Sequence, residues 1–380
     1  MMENIDPDFQ VFVKPVGARC NLRCAYCYYL DKEELLHGNQ SVMSASLLEK
    51  YIVQHLEATG GSPVFFSWHG GEPTLAGVEF FRQAAVWQEK HRRPEQRVFN
   101  GIQTNATLLN HTWCRFFAEE NFMVGVSLDG PQSFHDRFRK NRQGQSAFHR
   151  TMKGLELLRA YGIPFEILCV VHRENVKTPL EVYRFFKSLG ARFITFLPLV
   201  EHRPGRPEGV SHESVPSRDF GEFLCTVFDE WKEKDIGRLQ VQIFEEALRS
   251  AFHQDHTLCL FKKTCGRVPV VEWNGDFYSC DHYVDHSHLL GNIGGTDLRH
   301  LLDDPRQQAF GRAKSDSLPR YCLECDVLDM CNGECPRNRF VRTPSGEPGL
   351  NYLCAGYRLF FKHIKPFADT VAAVWNGGAL

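Results

Sequence analysis

Eleven of the fourteen cysteines in this chain of 380 residues fall into three groups, and those groups are where it could do chemistry. Cys20, Cys24 and Cys27 share one short stretch, ARCNLRCAYCYYLDKEE, with C-x3-C-x2-C spacing. Cys259, Cys265 and Cys280 form a looser second group, and Cys322, Cys325, Cys331, Cys335 and Cys354 a third. Cys114, Cys169 and Cys225 stand alone in apolar segments, where a free thiol packs as a small hydrophobe. Clustered thiols in a reducing compartment read as metal or iron–sulfur ligands rather than disulfides. A cubane [4Fe–4S] cluster normally takes four cysteines, so a trio leaves one iron open to a substrate or cofactor. The competing reading of the trio is zinc with a fourth ligand such as His69, and two structural zinc sites are the alternative for the later cysteines. Tyr26 inside the motif, with Tyr28 and Tyr29 after it, suits the paired C-x2-C knuckles of zinc ribbons poorly.

The elements that must position these thiols alternate regularly. QVFVKPVG is strand-like and ends at a glycine just before the trio. SASLLEKYIVQHLEATGG has helical spacing with a Ser start and a Gly stop. PVFFSWHGGEP runs a strand into a glycine turn; VFNGIQTN, MVGVSLDG, FEILCVVH and RFITFLPLV are further strands, each separated from the next by a helical pattern. Six such units predict a parallel sheet with right-handed crossovers, either an open doubly wound sheet or a partial barrel. In both, ligands gather at the carboxyl ends of the strands, where the trio, HGGEP, QTN and SLDG all fall. Beyond about Gln240 the chain becomes loop-rich, with a hairpin signal at Asn274-Gly275. A net charge of −2 gives no field for nucleic acid or an anionic membrane. No apolar run is long enough to span a bilayer, and MMENIDPDFQVFV has no signal-peptide pattern, so the sequence predicts a cytoplasmic protein.

CNLRCAYCYY resembles the C-x3-C-x-aromatic-C signature of radical S-adenosylmethionine enzymes, and HGGEPTL is similar to their GGEP motif. The resemblance implies a partial (β/α)6 TIM-like barrel over 1–238, with Cys20, Cys24 and Cys27 on a cluster whose open iron S-adenosylmethionine chelates. It also implies cofactor contacts from the Gly70-Gly71-Glu72-Pro73 turn, from Ser127 and from Tyr26 beside the adenine. The later cysteines resemble the SPASM pattern, which implies an auxiliary iron–sulfur domain over 239–362 and two further [4Fe–4S] clusters. Cys259, Cys265, Cys280 and Cys335 would hold the nearer one, and Cys322, Cys325, Cys331 and Cys354 the outer. A helical tail, 363–380, follows.

Along nearly its whole length the chain resembles the anaerobic sulfatase-maturating enzymes, in FFSWHGGEPTLAG, VGVSLDGPQSFHDRFR, VVEWNGDFYSCDHYV and CNGECPRNR among other stretches. That family converts a Cys or Ser in a C/S-x-P/A-x-R motif of an unfolded or nascent sulfatase to Cα-formylglycine, by way of a 5′-deoxyadenosyl radical. The resemblance implies Asp281 as the base that takes the substrate's proton, with His282 as its neighbour and rival, and a flavodoxin or ferredoxin as electron donor. A buried carboxylate there is expected to have a raised pKa. His69 and Tyr28, with Tyr29, are expected to face the peptide. Asp129 reads as a turn residue, HDRFRKNR as a solvated basic face, and Ala106 as a small loop variation in QTNAT. Two other activities stay open on the residues: a SPASM-type maturase that crosslinks ribosomal peptides, and a non-enzymatic iron–sulfur electron carrier.

Overall fold

The computed structural model describes residues 9–30, 32, 42–61, 63–203, 205 and 209–376. Most of DKEE, much of the Pro/Gly-rich loop near 206 and the last four residues of the expected tail lie outside them. The chain divides into two compact units, one of Met1–Ser127, Asp136–Phe165 and Gly266–Gly311, the other of Leu128–His135, Glu166–Cys265 and Arg312–Leu380. Elements are numbered in chain order.

In the first unit, strands β1 (Phe12–Lys14), β2 (Val64–Trp68), β3 (Val98–Thr104) and β4 (Met123–Ser127) pair in parallel in that order. On the far side of β1 lies β8 (Val270–Glu272), also parallel, with Phe12 opposite Val270. β9 (Asp276–Tyr278) returns antiparallel from β8 through Asn274-Gly275, and β10 (Leu289–Asn292) pairs with β9. The predicted hairpin therefore exists, and it extends the sheet that carries the cysteine trio. Gly275 takes φ +90, the left-handed value that such a turn favours in glycine.

The apolar side chains of β2 set what this sheet buries. Val64, Phe66 and Trp68 are covered, whereas Phe65 is 44 % exposed on the opposite face. The covered face meets helices α1 (Ala45–Ala58) and α2 (Val78–His91), with Tyr51 edge-on to Phe66 at 5.8 Å and Phe81 edge-on to Trp68 at 5.5 Å. Ser44 caps α1 by accepting from the Leu47 N–H, and Asn110 caps α3 (His111–Glu119) by accepting from Thr112 and Trp113.

In the second unit β5 (Phe165–Val171), β6 (Phe193–Pro198) and β7 (Gln240–Val241) are parallel neighbours. Neither unit's sheet closes on itself. Helix α4 (Ser217–Lys234) crosses the long C-terminal helix α5 (Cys354–Asn376) at two glycines. A Cβ on Gly356 would stand 2.0 Å from the Ser217 carbonyl oxygen, so only glycine allows this approach. The predicted helical tail is the continuation of the helix that begins at Cys354. Asp129 is a wholly buried acceptor, its Oδ1 taking the Val170 N–H at 3.0 Å.

Candidate functional site

The cysteine trio occupies the loop after β1, and short-range bonds shape it. The Cys27 N–H donates to the Cys24 carbonyl at 3.0 Å, and the Leu22 N–H to Cys20 Sγ at 3.3 Å. From the end of β3, Asn105 Nδ2 reaches Asn21 Oδ1 at 2.9 Å and Cys20 Sγ at 3.8 Å. Ala106, the small loop variation, adopts φ +60 and is fully buried. On the other side, Arg23 and Ala25 donate their N–H groups to the carbonyls of Lys140 and Phe138. The HDRFRKNR run is therefore a solvated face only in part: Arg137, Lys140 and Arg142 are exposed. Phe138, Arg139 and Asn141 are buried, Arg139 stands 5.5 Å over the Tyr26 ring, and Tyr26 packs on Phe138 at 5.3 Å.

The GGEP turn presses on the same loop. Gly70 has φ +124, and a Cβ on Gly71 would lie 2.2 Å from the Arg19 carbonyl oxygen. The Glu72 carboxylate is buried and fully engaged. Oε1 accepts from the Thr74 N–H, the Thr74 hydroxyl and the Thr104 hydroxyl, and Oε2 from the Asn105 N–H at 2.8 Å. Glu72 thus ties the turn after β2 to the end of β3. Ser127 closes β4 and accepts from Gln103 Nε2 at 2.8 Å.

Burial, helped by the Glu72 carboxylate and opposed by the Leu22 N–H, pushes the Cys20 thiol up to about 12, and Cys24 and Cys27 add to the rise. Such thiols release their protons when a cation takes their place, which suits iron ligands. Among the described residues no three His, Cys, Asp or Glu side chains converge as donors to a single metal ion. A cubane asks for something else, because each thiolate binds a different iron.

A second constellation gathers at the end of β1 and beside Cys280. Asp281 is buried, ion-paired with the Lys14 ammonium through Oδ1 and accepting the Tyr28 hydroxyl at Oδ2. Lys14 is itself 1 % exposed and stands 3.8 Å from the centre of the Tyr29 ring. The Tyr29 hydroxyl donates to Glu272, the last residue of β8. His282 lies against Tyr28, with ring centres 5.1 Å apart. His69 stacks on Phe12 at 3.9 Å, and burial with the nearby Lys14 charge lowers its pKa to about 4 while Asp281 pulls the other way. The structure therefore brings together His69, Tyr28 and Asp281.

Asp281 departs from the expected direction. Burial alone would raise its pKa, but the charges of Lys14 and His282 and hydrogen bonds from Lys14 and Tyr28 bring it down to about 2. Glu272, lacking so close a counter-ion, is raised to about 7 by burial, against Lys14 and the Tyr29 hydroxyl. At neutral pH this site holds an ionised Asp281.

In the second unit the thiols of Cys322, Cys325, Cys331 and Cys354 act on one another electrostatically, as do Cys259 and Cys265. Burial is the main influence on each shifted thiol and pushes it up. Cys280 belongs to the first unit, at the end of the hairpin, where its carbonyl accepts the Tyr283 N–H at 3.0 Å.

Residues 15–186 match the Radical SAM superfamily and residues 259–326 the iron–sulfur cluster-binding SPASM domain. The chain is 45 % identical to a serine-type anaerobic sulfatase-maturating enzyme of Bacteroides thetaiotaomicron over 94 % of this chain and 90 % of that one. The chain belongs to the anaerobic sulfatase-maturating enzymes. A cysteine-type member from Clostridium perfringens is 32 % identical over 96 % of this chain and 99 % of its own. The solved structure of native anSMEcpe with bound AdoMet and Kp18Cys peptide superposes with a TM-score of 0.85 at 31 % identity, covering 96 % of this chain and 98 % of that one.

Membership makes this chain a radical S-adenosylmethionine enzyme with a partial barrel and a SPASM domain, using S-adenosylmethionine, one [4Fe–4S] cluster for it and auxiliary clusters, and acting on a peptide. Among the described residues no helix is long and apolar enough to cross a membrane. Of the residues around Asp281, sequence reasoning passed over Lys14 and Glu272. A charged residue ending an apolar strand was the available signal at both: Lys14 closes VFVK and Glu272 closes VVE.

Proposed function

We propose that this sulfatase-maturating enzyme oxidises the Cys or Ser of a C/S-x-P/A-x-R segment, in an unfolded or nascent sulfatase, to Cα-formylglycine. In this reading residues 1–238 form the barrel, 239–362 the auxiliary domain and 363–380 the helical tail. Cys20, Cys24 and Cys27 hold the cluster for S-adenosylmethionine, and the Gly70-Gly71-Glu72 turn, Ser127 and Tyr26 surround that cofactor. Cys259, Cys265, Cys280 and Cys335 hold the nearer auxiliary cluster, with Cys322, Cys325, Cys331 and Cys354 on the outer. Bound together, cofactor and cluster supply the 5′-deoxyadenosyl radical that removes a hydrogen from the substrate Cβ.

The protein's own part is proton removal and positioning. Asp281, kept ionised by Lys14, accepts the hydroxyl or thiol proton, which is far more acidic once the adjoining carbon is a radical; the one electron left over would pass to the nearer auxiliary cluster, and the thioaldehyde formed from Cys would hydrolyse to the aldehyde. Tyr28 orients that carboxylate, and His69, held flat on Phe12, is placed to hydrogen-bond the peptide backbone. A flavodoxin or ferredoxin in the cytoplasm supplies electrons. The observation that carries this reading is the buried, ionised Asp281 fixed by Lys14 and Tyr28 beside Cys280.

The test incubates anaerobically reconstituted protein with S-adenosylmethionine and peptides containing C-x-P-x-R or S-x-P-x-R. The expected product is an aldehyde on one residue; a crosslinking enzyme would join two residues, and an electron carrier would make no 5′-deoxyadenosine. Asp281→Asn should lower aldehyde yield about a hundredfold, the usual worth of a general base. Unchanged turnover in that variant would remove Asp281 from the mechanism.

A further inference from the structure

Lys314 is the most deeply buried ammonium of the second unit, with no measurable exposure. Its Nζ donates to two backbone carbonyls, those of Cys259 at 2.8 Å and Leu260 at 2.7 Å. Among the described residues no carboxylate stands within ion-pair distance of it. Glu334, a carboxylate within electrostatic reach, is anchored by Asn351 and Asn338 instead. A buried ammonium is strongly disfavoured unless it sheds its proton or gains an anion nearby. A four-iron core held by four thiolates is such an anion.

Arg339 continues the arrangement. Its Nη1 donates to the Lys314 carbonyl at 2.5 Å, Nε to the Gly333 carbonyl at 2.9 Å, and Nη2 to the carbonyls of Asn332 at 2.9 Å and Glu334 at 3.1 Å. Asn332, Gly333 and Glu334 are the whole loop between Cys331 and Cys335. All three have left-handed φ, +46, +69 and +54, a conformation that Gly and Asn visit readily but Glu adopts only when surroundings enforce it. The guanidinium enforces it by collecting all three carbonyls. Asn332 Nδ2 then donates to the Phe261 carbonyl at 2.8 Å, joining this loop to the segment after Cys259.

We infer that Lys314 and Arg339 form a two-cation seat that positions the ligand loops of the auxiliary clusters and raises the reduction potentials of those clusters. It rests on the ligand sets proposed above. A fixed positive charge favours the more negative, reduced state of a neighbouring cluster, and Arg remains charged at every accessible pH. Both are positioning residues, because their ammonium and guanidinium donate to backbone carbonyls and supply no cluster ligand.

The test uses the full, anaerobically reconstituted chain with iron and sulfide analysis and an EPR-monitored redox titration. Lys314→Met and Arg339→Gln should move the auxiliary signals to lower potential and leave the S-adenosylmethionine-binding cluster, an internal control, where it is. Arg339→Lys keeps the charge but cannot span four carbonyls, so it should hold the potential and lose part of the auxiliary iron. Unmoved potentials in Lys314→Met and Arg339→Gln at full iron content would overturn the inference. If either variant loses its auxiliary iron, the conservative partners Lys314→Arg and Arg339→Lys decide: more iron retained than in Lys314→Met or Arg339→Gln supports the seat, and equal loss overturns it. Wild-type protein with iron for only one cluster would instead overturn the ligand sets, a distinct result, and the seat with them.

Discussion

Replacing Lys14 by Met strikes the candidate site at its buried centre. Lys14 and the Asp281 side chain are 1 % and 11 % exposed, so solvent screens their ion pair little. Removing the ammonium alone strands the carboxylate where burial disfavours its charge; breaking such a pair costs about 3–5 kcal/mol. An independent handle on size comes from linkage. The fold lowers the Asp281 pKa from 3.8 to about 2, equivalent to about 2.5 kcal/mol at about 1.4 kcal/mol per unit. Because the folded value is the lower one, that stability is complete above about pH 4 and is lost as pH falls towards 2. The assay is anaerobic urea unfolding of wild type, Lys14→Met, Asp281→Asn and the double variant at neutral pH. The cycle should return a coupling energy of about 2–3 kcal/mol, against about 0–1 kcal/mol for an exposed pair. Lys14→Met should also lower aldehyde yield more than 5′-deoxyadenosine, because the radical still forms while proton removal fails. A coupling below about 1 kcal/mol would refute the claim that Lys14 is what keeps Asp281 ionised.

Gly71→Ala drives a Cβ to within 2.2 Å of the Arg19 carbonyl oxygen, so the cysteine loop must shift; cleavage of S-adenosylmethionine should fall about tenfold or more, read as 5′-deoxyadenosine released. His55 is buried among Tyr51, Phe9 and Phe66, and burial lowers its pKa to about 4 despite a bond to the Phe65 backbone. Its folded pKa lies below the unfolded 6.5, so neutral His55 favours the fold above pH 6.5 and about 3 kcal/mol is lost as pH falls to 4. Thermal unfolding at pH 7 and pH 4.5 should show that loss, and His55→Phe should remove much of the slope.

How much of this was legible without coordinates differs by element. β2 is a short apolar run closed by a glycine turn, and α1 carries its Ser cap, so short-range pattern sufficed for both. The strand-end positions of the trio, HGGEP, QTN and SLDG followed from the repeated strand–helix order. HDRFRKNR shows the limit: its charges suggest a solvated face, yet backbone bonds to Arg23 and Ala25 fold it over the cysteine loop. Asp129 shows the same limit, since Asp-Gly signals a turn but cannot reveal that the Val170 N–H donates to its carboxylate.

The sequence by itself determined the thiol spacing, the glycines of the turn after β2 and the order of strands, because each depends on neighbours a few residues apart. Tertiary structure alone decided the charge state of Asp281. Its Lys14 partner is more than two hundred and fifty positions away, and only the pairing of β1 with β8 brings the two chain segments together. A carboxylate's pKa follows the charges and water around it, and those are set by which distant strands become neighbours.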